Sequence, residues 1–308
     1  MRKRYSNLDD VKNNKSFKDM MKWNKERRSK VKDLTINIPQ CQDKQIEKIK
    51  ENRSRTSYTW IGHSTFLIQM NGINILTDPV WAKRMGFQKR LTEPGIPLED
   101  LPEIDVIVIS HGHYDHLDFP TIKKLKGNPQ FFVPIGLKPL FNRKGYQKVS
   151  EMGWWESAEI RGIQIHFVPA QHWTRRTLTD MNTSHWGGFI FQSQEETLYF
   201  VGDTGYFAGF KQIAERFDNI DTVFMPIGAY EPEWFMKDSH ISPEDSVKAF
   251  LELNAKKFVP MHYGAYRLAD DTGPEALERL YREWEKQQLP NELLKVLTIG
   301  ETMIEEKK

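Results

Sequence analysis

A single cysteine, Cys41, occurs among 308 residues, which excludes an internal disulfide framework and a cysteine-built structural zinc site. Such scarcity suits a reducing compartment. No run of about 18 apolar residues occurs, and the opening Met1-Arg2-Lys3-Arg4-Tyr5 has no apolar core of secretory type. The expectation is a soluble, cytoplasmic protein. Short-period repeats and low-complexity tracts are missing, and no recognisable nucleic-acid motif is present, so nucleic acid is not an expected partner. Nothing in the sequence speaks to oligomeric state.

Net charge is also small, +2, but it is unevenly spread. Residues 1–55 carry 17 Lys and Arg against 8 Asp and Glu, while the remainder is net acidic. Residues 1–54 therefore read as a basic N-terminal extension, irregular or helical, preceding a domain at 55–308. The plain reading of such a charge run is a solvated arm. The sharper reading is peripheral contact with an anionic membrane, with Met20, Met21 and Trp23 set among lysines.

What is present from Tyr58 onward is a series of short apolar strands punctuated by Gly and Pro. Residues 65–70 and 73–77 flank Asn71-Gly72 and predict a β-hairpin. Further strands are expected at 106–109, 131–133, 163–168, 188–191, 197–201, 222–225, 257–261 and 294–298. Helices are expected at about 119–126, 136–144, 209–217, 243–254 and 273–287. The fourth has a clear start, with Ser242 as cap, Pro243 in the first turn and Asp245 three residues on. This alternation indicates a layered α/β or α+β domain.

The densest chemistry lies directly after the strand at 106–109. His111, His113, Asp115 and His116 put three imidazoles and a carboxylate into six residues. Clustered histidines cost desolvation and repel when protonated, whereas divalent ions make them useful ligands. His172, Asp203 and His262 each stand one to four residues beyond another expected strand, where scaffolds place function. Any one histidine taken alone could be a satisfied structural residue. Seven ligands together suit two metals, with one carboxylate and a water bridging ions about 3.5–4 Å apart. That water would lose its proton near neutral pH and become a hydroxide nucleophile.

His111-Gly112-His113-Tyr114-Asp115-His116 resembles the HxHxDH signature of the metallo-β-lactamase superfamily, and His172, Asp203 and His262 match its later motifs in order. Gly62-His63-Ser64-Thr65, Thr77-Asp78-Pro79, Gln171-His172-Trp173, Gly202-Asp203-Thr204-Gly205-Tyr206, the block Pro226–Lys237 and His240 narrow the resemblance. They are similar to the branch of phospholipases D that hydrolyse N-acyl-phosphatidylethanolamine, across about residues 58–302. The resemblance implies an α+β fold, an αββα sandwich of two mixed β-sheets flanked by helices. It also implies two Zn2+ ions, one on His111, His113 and His172 and the other on Asp115, His116 and His262, with Asp203 bridging. Asp115 and His240 are the catalytic candidates, His240 near the metals and against a phosphate oxygen or else in a local loop hydrogen bond.

Several other residues have weaker roles in this reading. Asp78 and His63 are candidates for orienting metal ligands, although Asp78 could equally initiate a turn before Pro79. His185 reads as structural or supporting and His166 as packing. Trp173, Tyr230 and Trp234 are candidate substrate contacts, and Phe207, Phe235 and Met236 candidate apolar lining. The implied reaction is hydrolysis of a glycerophospholipid to phosphatidic acid and an N-acylethanolamine by the bridging hydroxide. Two alternatives compete: a hydrolase of a lactone, thioester or soluble phosphodiester on the same scaffold, and a non-catalytic metal-binding protein. Retention of all seven ligands disfavours the last.

Overall fold

The structure, a computed structural model, describes residues 3–12, 15–35 and 38–305. The chain opens with helices α1 (Phe17–Ser29) and α2 (Ile46–Glu51). Strands β1 (Ser57–Gly62), β2 (Thr65–Met70) and β3 (Ile73–Thr77) follow, then a small ribbon of β4 (Arg84–Met85) and β5 (Gln88–Lys89). Next come β6 (Val106–Val108), α3 (Phe119–Ile122), β7 (Gln130–Pro134), α4 (Lys138–Arg143) and β8 (Val149–Met152). The second half contains β9 (Ser157–Ile160), β10 (Ile163–Val168), β11 (Gly188–Gln192), β12 (Thr197–Phe200) and α5 (Gly209–Arg216). It ends with β13 (Thr222–Pro226), α6 (Glu233–Met236), α7 (Pro243–Leu253), β14 (Lys257–Met261), α8 (Gly273–Lys286) and β15 (Thr302–Ile304).

Two mixed sheets form the centre. The first has the order β15-β1-β2-β3-β6-β7-β8 and the second β14-β13-β12-β11-β10-β9. Strand alternation explains how the first sheet is covered on both sides. Phe66, Ile68, Val106 and Val108 face the inter-sheet core with Phe167, Phe189, Phe200 and Phe224. Leu67, Ile107 and Ile109 point the other way, against Ile49, Ile122 and Phe141 from α2, α3 and α4. Helices α5, α7 and α8 lie on the second sheet, where Phe258 meets Phe250 and Trp284 edge-on. The result is the expected αββα sandwich.

Strand direction then gathers the polar loops. In the first sheet β3 and β6 are parallel, so Asp78 and the segment 110–116 leave the same edge. In the second, β12 and β14 run parallel through β13, and β10 shares their direction because two antiparallel steps separate it from β12. His172, Asp203 and His262 therefore emerge together.

The expected hairpin forms around Asn71 and Gly72, both with positive φ (48° and 73°), as a type I′ turn requires. The expected strand at 294–298 does not form. Lys295 N bonds Phe258 O in the second sheet, whereas Ile299 N bonds Pro39 O and Gly300 N bonds Trp60 O beside the first. This stretch crosses between the sheets, and the edge partner of β1 is β15. The helix expected at 119–126 stops at Ile122, continuing only as i→i+3 turns before Gly127. Strands β1, β4, β5, β8, β9 and β15 and helix α6 were not assigned by pattern, and helices α1 and α2 fall in the extension expected to be irregular or helical.

The basic arm is packed on the domain through its own charges. Lys15 pairs with Asp238 at 2.8 Å, Lys30 with Asp270 at 3.0 Å, and Lys32 with Glu275 at 2.6 Å. Trp23, read from sequence as a membrane-facing residue, is instead buried against Phe235, and its Nε1 donates to Asp270 at 3.0 Å. An acid with no exposed side-chain surface needs such donors, which is why the indole turns inward. Trp23→Ala is expected to cost about 3 kcal/mol in urea unfolding and to expose the arm to limited proteolysis; an unchanged midpoint would contradict this docking.

Candidate metal centre

The site begins with one buried carboxylate. Asp78, at the end of β3 with φ 36°, accepts hydrogen bonds from Ser110 N (2.7 Å), Ser110 Oγ (2.5 Å) and His116 Nδ1 (2.7 Å). Because Ser110 spends its hydroxyl proton on Asp78, its oxygen must accept from His111 Nδ1 at 2.9 Å. His172 Nδ1 donates to Ser239 O at 2.8 Å. All three histidines thus carry their proton on Nδ1 and turn the Nε2 lone pair inward.

These lone pairs converge. His111 Nε2 and His172 Nε2 lie 2.9 and 3.2 Å from His113 Nδ1. Asp203 spans the rest of the site: its Oδ2 is 3.2 Å from His116, 3.8 Å from His172 and 4.0 Å from His111, and its Oδ1 is 3.0 Å from His262. Asp115 Oδ2 lies 3.4 Å from His116 and 3.8 Å from His262. The structure brings His111, His113 and His172 together on one side and Asp115, His116, His262 and His63 on the other, with Asp203 within 4.0 Å of His111, His116, His172 and His262. Gly202 makes this possible: its φ is 70°, and a Cβ there would stand 2.8 Å from the Ser110 Cβ.

Charge is distributed to match. Burial pushes His111 and His172 well below the usual imidazole range and lowers His113 to about 4. Burial opposes ionisation of Asp115 and Asp203, but nearby imidazoles, His116 foremost, outweigh it and hold both well below the usual carboxylate range. Burial also opposes charge on His116 and His262, yet Asp203 with Asp115 raises the first well above its usual value and the second to about 9. The cluster thus draws positive charge to its centre. His116 Nε2, His262 Nε2 and Asp203 Oδ1 are buried without a well-formed hydrogen bond. Converging imidazole and carboxylate donors, orphaned polar atoms and a demand for positive charge fit divalent ions.

The other expected residues divide into two sets. His63, with φ 55°, places Nε2 3.1 Å from Asp115 Oδ2 and packs its ring 4.1 Å from that of His262. His240 Nδ1 is 3.8 Å from Asp203. A groove of about 680 Å³ opens here, touching His113, Asp115, Asp203 and His240, with apolar lining from Met85, Trp173, Ala229, Met236 and Leu268. Tyr230 does not line it; that ring is in the core with the Arg279 guanidinium over it. Trp234 does not either, because α1 covers it through Glu26 and Lys22. Phe207 and Phe235 are likewise packed inward. His185 packs at a tilt against Tyr5 and Trp154, a structural role, and His166 packs on Phe217.

Arg176 was missed. Its Nη1 donates to Gly112 O, His113 O and Leu117 O at 2.8, 3.3 and 3.0 Å, and its guanidinium lies 4.0 Å over Tyr114. One side chain therefore clips the loop 112–117 into shape. Nothing in the sequence distinguishes Arg176 from exposed Arg175 beside it.

A two-sheet sandwich with a His/Asp cluster at one edge defines a metal-dependent hydrolase class, and comparison with known proteins agrees. Residues 73–263 match the family model described as a β-lactamase superfamily domain. The chain belongs to the metallo-β-lactamase superfamily. It is 41% identical over 226 residues to N-acyl-phosphatidylethanolamine-hydrolyzing phospholipase D 1 of Caenorhabditis elegans, a match covering 68% of this chain and 64% of that protein's length. A metal-dependent hydrolase of Bacillus cereus is 31% identical, covering 71% of this chain and 90% of that protein. A metallo hydrolase from Ignicoccus hospitalis shares the fold, with a TM-score of 0.64 at 23% identity, covering 83% of this chain and all of that one.

Asp78→Asn is expected to weaken metal binding about 10- to 100-fold, measured by chelator competition, because two imidazoles lose their fixed tautomer. Arg176→Met should weaken it less while lowering the melting temperature, since three carbonyls lose their donor. Wild-type affinity in the Asp78 variant would refute the orienting role.

Proposed function

We propose that the protein is a zinc-dependent phosphodiesterase of phospholipase D type, acting on an N-acyl-phosphatidylethanolamine. The observation that carries this reading is the groove, which joins apolar lining from Met85, Trp173, Met236 and Leu268 to His113, Asp115, Asp203 and His240 of the cluster. A lipid phosphodiester needs both features together. Similarity to the worm phospholipase D, and to the mitochondrial N-acyl-phosphatidylethanolamine-hydrolyzing phospholipase D of Saccharomyces cerevisiae at 32% identity, covering 78% of this chain and 54% of that one, supports the substrate class.

In this reading His111, His113 and His172 would hold one ion, Asp115, His116 and His262 the other, and Asp203 would reach both. Two such ions supply Lewis acidity and a water acidified towards neutral pH. The chain's own residues do the positioning. Asp78 and Ser239 hold the ligand rings in one tautomer, His63 braces Asp115, and Arg176 keeps His113 in place. His240, partly exposed beside Asp203, is set to contact a phosphoryl oxygen. Met85, Met236 and Leu268 take acyl chains and exclude water from them. In the reaction, water oxygen bonds to phosphorus and the phosphorus–oxygen bond to the N-acylethanolamine breaks. That alcohol leaves with a proton, and phosphatidic acid remains.

The test is a lipid-product profile by mass spectrometry, with metal-quantified protein and N-acyl-phosphatidylethanolamine in mixed micelles. Phosphatidic acid and N-acylethanolamine should appear in equal amounts, and Asp203→Asn should lower turnover at least about 100-fold. Intact lipid, with turnover of a lactone, thioester or soluble phosphodiester in parallel assays, would overturn the assignment.

A further inference from the structure

Residues 3–12 run against the loop that carries His172. Tyr5 N donates to Asn182 O at 2.9 Å, and the Tyr5 ring packs 4.5 Å from that of His185. Asn7, 6% exposed, then reaches inward. Its Oδ1 accepts from His172 N at 3.0 Å and from Trp186 Nε1 at 3.0 Å, while its Nδ2 donates to Val11 O at 2.9 Å. Both partners of that oxygen can only donate, so the orientation of the amide is fixed. A short, uncharged side chain with an oxygen for two donors and a nitrogen for one acceptor is what this buried position requires.

The contact bears on one ligand in particular. Residues 169–174 belong to no strand, so side-chain bonds shape the loop. Gln171 N donates to Thr204 Oγ1 at 2.9 Å, His172 N to Asn7, and Thr174 N to Asn182 Oδ1 at 3.1 Å. Ser239 O holds the His172 ring through Nδ1. Asn7 thus fixes the backbone of this ligand and Ser239 its ring, which together aim Nε2 at His113 and Asp203. The Trp186 indole also donates to Ala170 O at 3.1 Å, and Gly187 N beside it donates to Ser110 O at 3.1 Å. Through Trp186, Asn7 therefore ties the His172 loop to the segment that leads into His111. The remaining ligands have other supports: His116 has Asp78, Asp115 has His63 Nε2, and His262 N donates to His63 O at 3.2 Å.

We propose that Asn7 is a positioning residue for His172, and that residues 3–12 thereby set the affinity of the ion position formed by His111, His113 and His172. The inference rests on the two-ion reading of the cluster and not on the identity of the substrate. Coupling of this kind is reciprocal, so an ion in that position also holds residues 3–12 in place. The start of the chain is then a working part of the metal centre.

The experiment titrates Co2+ into metal-free, full-length protein by calorimetry. It compares wild type with Asn7→Leu, of similar volume but without polar atoms, and Asn7→Asp, which keeps the acceptor. Wild type should bind in two steps. Asn7→Leu should weaken one step about tenfold and leave the other unchanged, and Asn7→Asp should restore it. A general loosening would weaken both. Asn7→Leu binding like wild type, both steps falling together, or Asn7→Asp as weak as Asn7→Leu would each overturn the assignment. Wild type binding a single ion would remove the two-ion reading instead, and Asn7 would then be judged on that ion by the same two variants. Tryptic cleavage after the exposed Lys12 gives a readout without substitution. Co2+ should slow it in wild type, and equal rates with and without metal would overturn the coupling.

Discussion

The Asp78 carboxylate is the constraint on which the centre depends. It sits without solvent exposure at the end of one strand and receives three donors from the end of the next. A buried anion of this kind is tolerated only when its lone pairs are filled, so its own desolvation enforces the geometry of Ser110 and His116. Through Ser110 it also fixes His111. Burial raises the Asp78 carboxyl, while His116 and Ser110 act in the opposite sense. The interaction is local, yet it determines which nitrogen of two separate rings carries a lone pair towards Asp203.

Charge pairing works on a second scale. The sequence divides into a basic beginning and an acidic remainder, and the structure turns part of that division into internal contacts. Asp270 collects Trp23, Arg27 and Lys30, while Glu231 and Glu275 take Lys32. Exposed pairs of this type contribute little individually. Asp270 differs because its side chain has no exposure, so the donors from α1 and the residue just beyond it satisfy a group that would otherwise be costly. The arm also reaches the centre: Asn7 Oδ1 accepts from His172 N at 3.0 Å.

The sequence was informative where chemistry and periodicity coincide. His111 to His116, His172, Asp203 and His262 were legible because each follows an apolar strand and because no packing role explains their density. The Asn71-Gly72 hairpin was legible because its turn demands two positive φ values. Other features depend on contacts that no window contains. Leu294–Thr298 has strand composition, but its backbone partners change from one sheet to the other within a few residues. Tyr230 and Trp234 lie in a motif-like block, yet Arg279 and α1 claim them. Arg176 binds carbonyls, which leave no trace in residue identity. Trp23 looked like a surface anchor because its partner, Asp270, lies 247 positions away.

The seven clustered residues come from two owners. His111, His113, Asp115 and His116 follow a strand of the first sheet, whereas His172, Asp203 and His262 follow strands of the second. Neither sheet alone possesses either three-residue group together with Asp203. An ion held by such a set would act as a rivet through the seam of the sandwich, adding to folding stability as well as to chemistry. Fidelity of the centre then rests on how the two halves close along that seam, so packing changes far from any histidine, deep among Phe66, Phe167 and Phe224, would be felt there as misalignment.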